Sequence, residues 1–295
     1  MPEDTTSSSL KTSLKSQVAE CIEMIKKAKR PVFITGYGIR LAKGEVEFLK
    51  LAESLNIPIV SSWTSSDLIP TSHELYVGRS GIMGDRAGNF AVQNSDLLLI
   101  VGSRMSIPQV GYNYKTFARE AKKIMVDIDE KELSKPSVRP DLPIKADARE
   151  FMVEMLSQIG NGKPVSDIGE WINKCQLWKT KYPVALPEYK EIKDGVNSFY
   201  FIDVLSDKLP NDAVVVTDMG TSFTCTMQTF KVKAGQRLFT SSGHASMGFG
   251  LPGAIGACFA NDKKKTICIS GDGGLQMNIQ ELQTMVHYKL PIILF

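Results

Sequence analysis

Short, unbroken apolar runs separated by stretches of helical periodicity constrain this chain more than any other feature. The runs are PVFIT (31–35), IPIV (57–60), DLLLIVG (96–102), KIMVDID (123–129), AVVVTD (213–218), TICIS (266–270) and PIILF (291–295). A run of this length with no polar alternation suits a strand covered on both faces. Between the runs, Leu14, Val18, Cys21, Ile22, Ile25 and Ala28 recur at helical spacing, and further helices are expected near 41–55, 86–94, 147–159, 168–180, 197–208, 247–260 and 278–288. Strands joined through helices run parallel, so the expected class is α/β, with parallel sheets in three-layer domains.

At 295 residues the chain is long for one compact domain. The stretch GNGKPVSDIG (161–170) interrupts the alternation with Gly, Pro and polar residues. The expected organisation is a linker over 1–10, a first domain over 11–160, a linker over 161–190 and a second domain over 191–295. Because the last run, PIILF, lacks a following helix, the second domain reads as cut short. No short fixed repeat points to a solenoid.

A formal charge of +3, spread along the chain, gives no reason to expect nucleic acid or an anionic membrane as partner. The five cysteines are scattered and form no CxxC pair, which argues against a disulfide framework and a zinc site. The opening residues show no secretory pattern, and the apolar runs are too short to span a bilayer. A cytoplasmic location is therefore expected.

Three segments of the second domain invite chemistry. In CISGDGGLQMN, Asp272 follows a strand and lies among Gly271, Gly273 and Gly274, where backbone amides face the carboxyl end of a sheet. One carboxylate there suits Mg²⁺, which completes its shell with water and phosphate oxygens; the plainer alternative is a tight turn with Asp as helix cap. In VVVTDMGTSFT, Gly220, Thr221 and Ser222 open a helix after a second strand, offering hydroxyls and amides to a diphosphate or serving as a simple cap. In SSGHASMGFGLPGAIGA, the small residues permit close helix packing. His244 sits within this last segment, at the rim or on substrate, while His73 and His287 lack metal-ligand spacing and read as surface residues.

Taken together, GHASMGFGLPGAIGA and ICISGDGGLQMNIQELQT resemble the diphosphate-binding domain of thiamine diphosphate-dependent enzymes, most nearly the acetolactate synthase group. The resemblance implies that Asp272 is a ligand of Mg²⁺ and that Gly273 and Gly274 meet the cofactor's phosphates. A further asparagine ligand is expected past Phe295. It also implies that Gly220, Thr221 and Ser222 touch the diphosphate, although the glutamine and histidine usual in that group are replaced by Thr221 and Ser222. Met247 matches the apolar residue that props the cofactor in its bent form. Ala245 matches the residue whose carbonyl accepts from its 4′-amino group.

The segments GRSGIMGDRAGNFAVQNSDLLLIVGSRM and KIMVDIDEKELSKPSVRPDLPIKADA resemble the Rossmann-like central domain of the same group, which holds FAD, ADP or nothing. Gly81, Gly84, Gly102, Arg104, Asp127 and Ile128 match its nucleotide positions, but SRMSIPQVGYN departs from the charged pattern that follows the arginine. TGYGIR (35–40) lacks the third glycine of a dinucleotide fingerprint and reads as a plain turn. The resemblance implies a carboligase or decarboxylase acting on a 2-oxo acid such as pyruvate, and a homodimer or homotetramer for the full-length protein. Its activating glutamate lies in a separate pyrimidine-binding domain, so no catalytic residue is expected in these residues and they are expected to be inactive alone. Another 2-oxo acid decarboxylase, or a non-catalytic nucleotide-binding assembly module, remain the alternatives.

Overall fold

The structure, a computed structural model, describes residues 5–160 and 167–295, with side chains from Leu14 onward. The boundary residues GNGKPV (161–166) lie outside the described residues. The described chain forms two compact units, one of residues up to Leu68 together with Glu74–Tyr182, the other of Ile69–His73 and Pro183–Phe295.

In chain order the first unit contains α1 (Thr5–Lys27), β1 (Pro31–Thr35), α2 (Gly38–Leu41), α3 (Glu45–Leu55), β2 (Ile59–Ser61), β3 (Tyr76–Arg79), α4 (Arg86–Asn94), β4 (Leu97–Val101), α5 (Ile107–Val110), β5 (Lys122–Asp127), α6 (Glu130–Ser134), β6 (Leu142–Lys145), α7 (Ala148–Ile159) and α8 (Gly169–Lys181). Its six strands run parallel in the order β3-β2-β1-β4-β5-β6. The apolar runs occupy the middle: every residue of β1 and β4 is buried. Helix α7 packs with α1 and α3, and α4 packs with α8. Residues 5–10, expected as linker, are already helical, since no Gly or Pro interrupts the stretch up to Lys27. The linker expected over 161–190 likewise carries α8, whose Trp171 indole donates to the Pro31 carbonyl at 3.0 Å.

The second unit contains α9 (Ser198–Lys208), β7 (Val214–Thr217), α10 (Thr221–Thr229), β8 (Arg237–Phe239), α11 (Gly250–Ala260), β9 (Thr266–Ile269), α12 (Asp272–Met277), α13 (Glu281–Tyr288) and β10 (Ile292–Leu294). Its four strands are also parallel, ordered β10-β9-β7-β8. One face of the sheet buries Val214, Val216 and Cys268 against Ala254 of α11. A second cluster, Leu251, Ile255, Cys258 and Leu290, fixes α11 against the segment leading into β10. Residues 69–73 join this unit, where Thr71 and Val232 exchange two hydrogen bonds of 2.9 Å.

Strands β3, β6 and β8 were not expected from the sequence, and each is an edge strand. An edge has one side without a partner strand, so it tolerates Gly78 and Pro143 and needs no continuous apolar run. The five cysteines are buried and unpaired, and no described helix is long and apolar enough to cross a membrane.

Candidate functional site

In parallel sheets the crevice outside the carboxyl ends of the strands receives ligands, because loops and helix N-termini gather there. In the second unit, β7 and β9 are neighbours, with Thr217 paired to Ile269, so the turns after them emerge side by side. The three segments singled out in the sequence meet at this point.

The residue that joins them is Asp218, which is 1% exposed. Its carboxylate accepts from Met219 N at 2.7 Å, from Gly248 N at 3.0 and 3.2 Å, from Gly250 N at 3.0 Å and from Ser270 Oγ at 3.2 Å. Four donors use up what a carboxylate can accept. A Cβ built on Gly250 would lie 2.9 Å from Asp218 Cβ, and one on Gly274 would lie 2.7 Å from Asp218 Cγ. Both glycines are thus required by the buried acid beside them. Burial, and secondarily the Asp218 charge, push the neighbouring Cys268 thiol up to about 12.

Asp272 is the opposite case. It is exposed, and its carboxylate has no partner among the described residues. The expectation of an Asp helix cap is corrected here: Gly271 is the N-cap of α12, and Asp272 is its first helical residue. The first-turn amides of Asp272, Gly273 and Gly274 have no acceptor within the helix. On the adjacent turn Gly220 is the N-cap of α10, with φ of 82° that favours glycine. Neither Thr221 nor Ser222 is the cap. The Ser222 hydroxyl donates to Met219 O at 3.0 Å, so this segment offers a ligand the amides of both residues and the exposed Thr221 hydroxyl.

The third segment also departs from expectation. Helix α11 begins at Gly250 rather than Met247, because Gly248 has φ of 87° and its amide is drawn to Asp218. The helix expected over 278–288 is α13, which starts at Glu281, because Asn278 is the C-cap of α12, its side-chain amide donating to Gly248 O at 2.7 Å. These contacts place exposed Met247 over the glycine turn, its Cε 3.2 Å from where a Gly273 Cβ would stand. Ala245 adopts a left-handed φ of 55° on the exposed rim of the same loop, beside His244. His287 stacks edge-on against Tyr288, and among the described residues no group of three or more His, Cys, Asp or Glu side chains gathers to hold a metal.

The glycines distinguish packing from ligand space. Gly271 has φ of −79°, open to any residue, and nothing lies within 4 Å of where its Cβ would stand. Its N-cap position suits glycine, and the space beside it is open to a ligand. With Gly220 also facing open space, the exposed Asp272 and two neighbouring sets of helix-start amides, the donor set fits a diphosphate with a hard divalent cation.

The first unit contrasts with this. A Cβ on Gly81 would lie 2.5 Å from Pro108 O, and one on Gly84 2.4 Å from Arg79 O. Their amides are spent on Asn89 Oδ1 and Gly81 O, and that of Gly102 on Val126 O. The crevice between β1 and β4, where strand order reverses, is closed: a Cβ on Gly36 would lie 2.0 Å from Gly102 O. Arg104 is exposed but paired with Glu132 at 2.6 Å, which also binds Lys135 at 2.8 Å. The Asp127 carboxylate accepts from Asp129 N at 2.9 Å, and Ile128 is exposed beside it. These six positions adjoin strand ends, and the amides of Gly81, Gly84 and Gly102 are taken up by the chain's own acceptors.

Two parallel α/β units, the second with amides and a free acid gathered for a diphosphate, define a class of cofactor-binding enzyme domains, and family comparison agrees. Residues 18–155 match the central domain of thiamine pyrophosphate enzymes, and residues 218–295 match their C-terminal, thiamine pyrophosphate-binding domain. The chain belongs to the thiamine pyrophosphate enzyme family. It is 34% identical over 288 residues to a probable acetolactate synthase large subunit of Methanococcus aeolicus, covering 94% of this chain and 48% of that protein. It is 32% identical over 284 residues to the acetolactate synthase large subunit of Cyanidium caldarium, covering 95% and 47%. With the acetolactate synthase isozyme 3 large subunit of Escherichia coli K12 it shares 30% over 285 residues, covering 96% and 49%. The chain spans about half the length of these relatives.

Proposed function

We propose that this chain binds thiamine diphosphate with Mg²⁺ in its second unit and serves an acetolactate synthase-like enzyme that acts on a 2-oxo acid such as pyruvate. The single observation that carries the reading is Asp272, an exposed acid without a partner at the start of α12, beside Gly271, whose would-be Cβ faces open space. The amides of Thr221 and Ser222 and those of Gly273 and Gly274 would hold the diphosphate oxygens. Asp272 would be the protein's carboxylate on the metal, since Asp218 is already saturated by the chain's own donors. Met247, placed over Gly273, would support the cofactor's apolar body, and Ala245 would turn its carbonyl toward the aminopyrimidine. When bound, thiamine diphosphate supplies the electron sink that a 2-oxo acid needs to lose CO₂. The chain's own task is to bind, orient and screen charge.

The relatives' names, acetolactate synthase large subunits, support a carboligase or decarboxylase that works in an assembly, proposed here as a homodimer or homotetramer. Because these 295 residues span about half of those relatives, we propose that turnover needs more chain than is present here. The first unit acts in this reading as a scaffold without flavin, since its matching glycines are occupied by its own backbone.

The test is calorimetric titration of thiamine diphosphate into the protein with Mg²⁺, beside the Asp272→Ala variant. Saturable binding that needs Mg²⁺ and is lost in the variant is the expected outcome. Absence of binding by the folded wild type would sink the proposal, and pyruvate decarboxylation by the 295 residues alone would overturn the requirement for further chain.

A further inference from the structure

The second unit contains two acids at neighbouring strand ends, and their surroundings assign them opposite work. Asp272 is exposed and free, whereas Asp218 is buried and saturated. A carboxylate withdrawn from water is costly unless each lone pair finds a donor, and here the donors come from segments far apart in sequence. Gly248 and Gly250 lie on the loop that leads into α11, Ser270 ends the β9 segment, and Met219 opens the turn before α10. Gly274, in the first turn of α12, packs directly on the same carboxylate.

We infer that Asp218 is the positioning residue of the cofactor cradle: one buried carboxylate sets the distance between the Met247 loop, the glycine turn carrying Asp272 and the turn carrying Thr221. The inference rests on the proposed function for the identity of the ligand. It does not place Asp218 on the cofactor, because its acceptor capacity is already used. Shape supports the assignment as well as charge. The Gly248 amide turned to Asp218 imposes the left-handed backbone that stops α11 from starting at Met247. The Gly248 carbonyl is held from the other side by Asn278 at 2.7 Å. Met247 is thereby fixed above Gly273 rather than wound into a helix. A longer acid would collide with Gly250 and Gly274, and an amide in either orientation would set its N–H₂ group against backbone N–H donors, of Met219 and Gly248 on one side or Gly248 and Gly250 on the other.

The experiment compares wild type with Asp218→Asn and Ser270→Ala, reading two quantities on each. Amide hydrogen exchange at Gly248 and Gly250, without cofactor, reports whether the carboxylate holds the loop. Calorimetry with thiamine diphosphate and Mg²⁺ reports whether the held loop matters to the ligand. Asp218→Asn is expected to exchange these amides at least about ten-fold faster and to weaken binding by about ten-fold or more, as loss of a charge-assisted hydrogen bond implies. Ser270→Ala, which removes one hydroxyl donor and spares both amides, is expected to weaken binding by only about two- to five-fold, and it keeps the test open if Asp218→Asn does not fold. Asp272→Ala is expected to leave exchange at Gly248 and Gly250 unchanged while abolishing the Mg²⁺-dependent binding.

Faster exchange in Asp218→Asn with wild-type affinity would overturn the positioning role and leave the proposed function standing. Unchanged exchange would show that the carboxylate does not govern the loop, and would overturn the inference at its first step. If Asp218→Asn fails to fold, wild-type affinity in Ser270→Ala overturns the role. Failure of the folded wild type to bind would remove the proposed function, and with it the ligand for which Asp218 prepares the cradle.

Discussion

At the residue scale, the informative distinction is between glycines that the chain needs for itself and one that it does not. Gly274 has the Asp218 carboxyl carbon 2.7 Å from its would-be Cβ, so Gly274→Ala is expected to destabilise the second unit by about 1–3 kcal/mol through overpacking. Gly271 has open space and an ordinary φ of −79°, so in Gly271→Ala the gain in chain stiffness and the poorer N-cap offset each other, and stability is expected to change by less than about 1 kcal/mol. Yet the added methyl would stand where the proposed diphosphate approaches, and thiamine diphosphate affinity is expected to fall. Urea unfolding beside calorimetry on both variants checks this. A Gly271→Ala variant destabilised as much as Gly274→Ala, or one that binds as wild type, contradicts the assignment.

Elements are stabilised here by what they pack on more than by their own propensity. Helix α8 follows a Gly/Pro-rich stretch that reads as a boundary, and its place in the first unit comes from tertiary contacts. Trp171 and Cys175 are buried, the Trp171 indole reaches Pro31 O at 3.0 Å, and Lys179 reaches Tyr76 O at 2.9 Å. Trp171→Phe keeps an aromatic ring but strands the buried carbonyl of Pro31, a loss expected to cost about 1–2 kcal/mol. Denaturation followed by the near-ultraviolet signal of the first unit's tryptophans reads this directly, and an unchanged midpoint would show that α8 contributes little to that unit.

For the whole molecule, every thiol is a core residue. All five cysteines are buried, and burial pushes Cys175 and Cys268 up to about 12 and Cys21 higher still. At pH 8 a thiol so placed carries almost no thiolate, the reactive form. An aromatic disulfide reagent is therefore expected to titrate essentially none of the five in the native protein and all of them in guanidinium. Prompt reaction of one thiol before unfolding would reveal a local opening that the native packing does not contain.

The sequence alone determined the alternation of buried strands and amphipathic helices, because continuous apolar runs leave a parallel sheet as the way to cover both faces of a strand. It also singled out Asp272, Gly220 and Met247 through motifs that resemble a diphosphate-binding domain, and the fold brings their segments together around Asp218. Edge strands β3, β6 and β8 were not legible, since a strand with one open side needs no apolar run. Nor was the work of Asp218, which follows a strand and whose partners other than Met219 lie 30 to 52 residues away. Gly81, Gly84 and Gly102 show a related limit, because a glycine in sequence does not say what fills the space beside it. Only the folded chain decides whether that space belongs to its own backbone, as at Gly102, or is left open, as at Gly271.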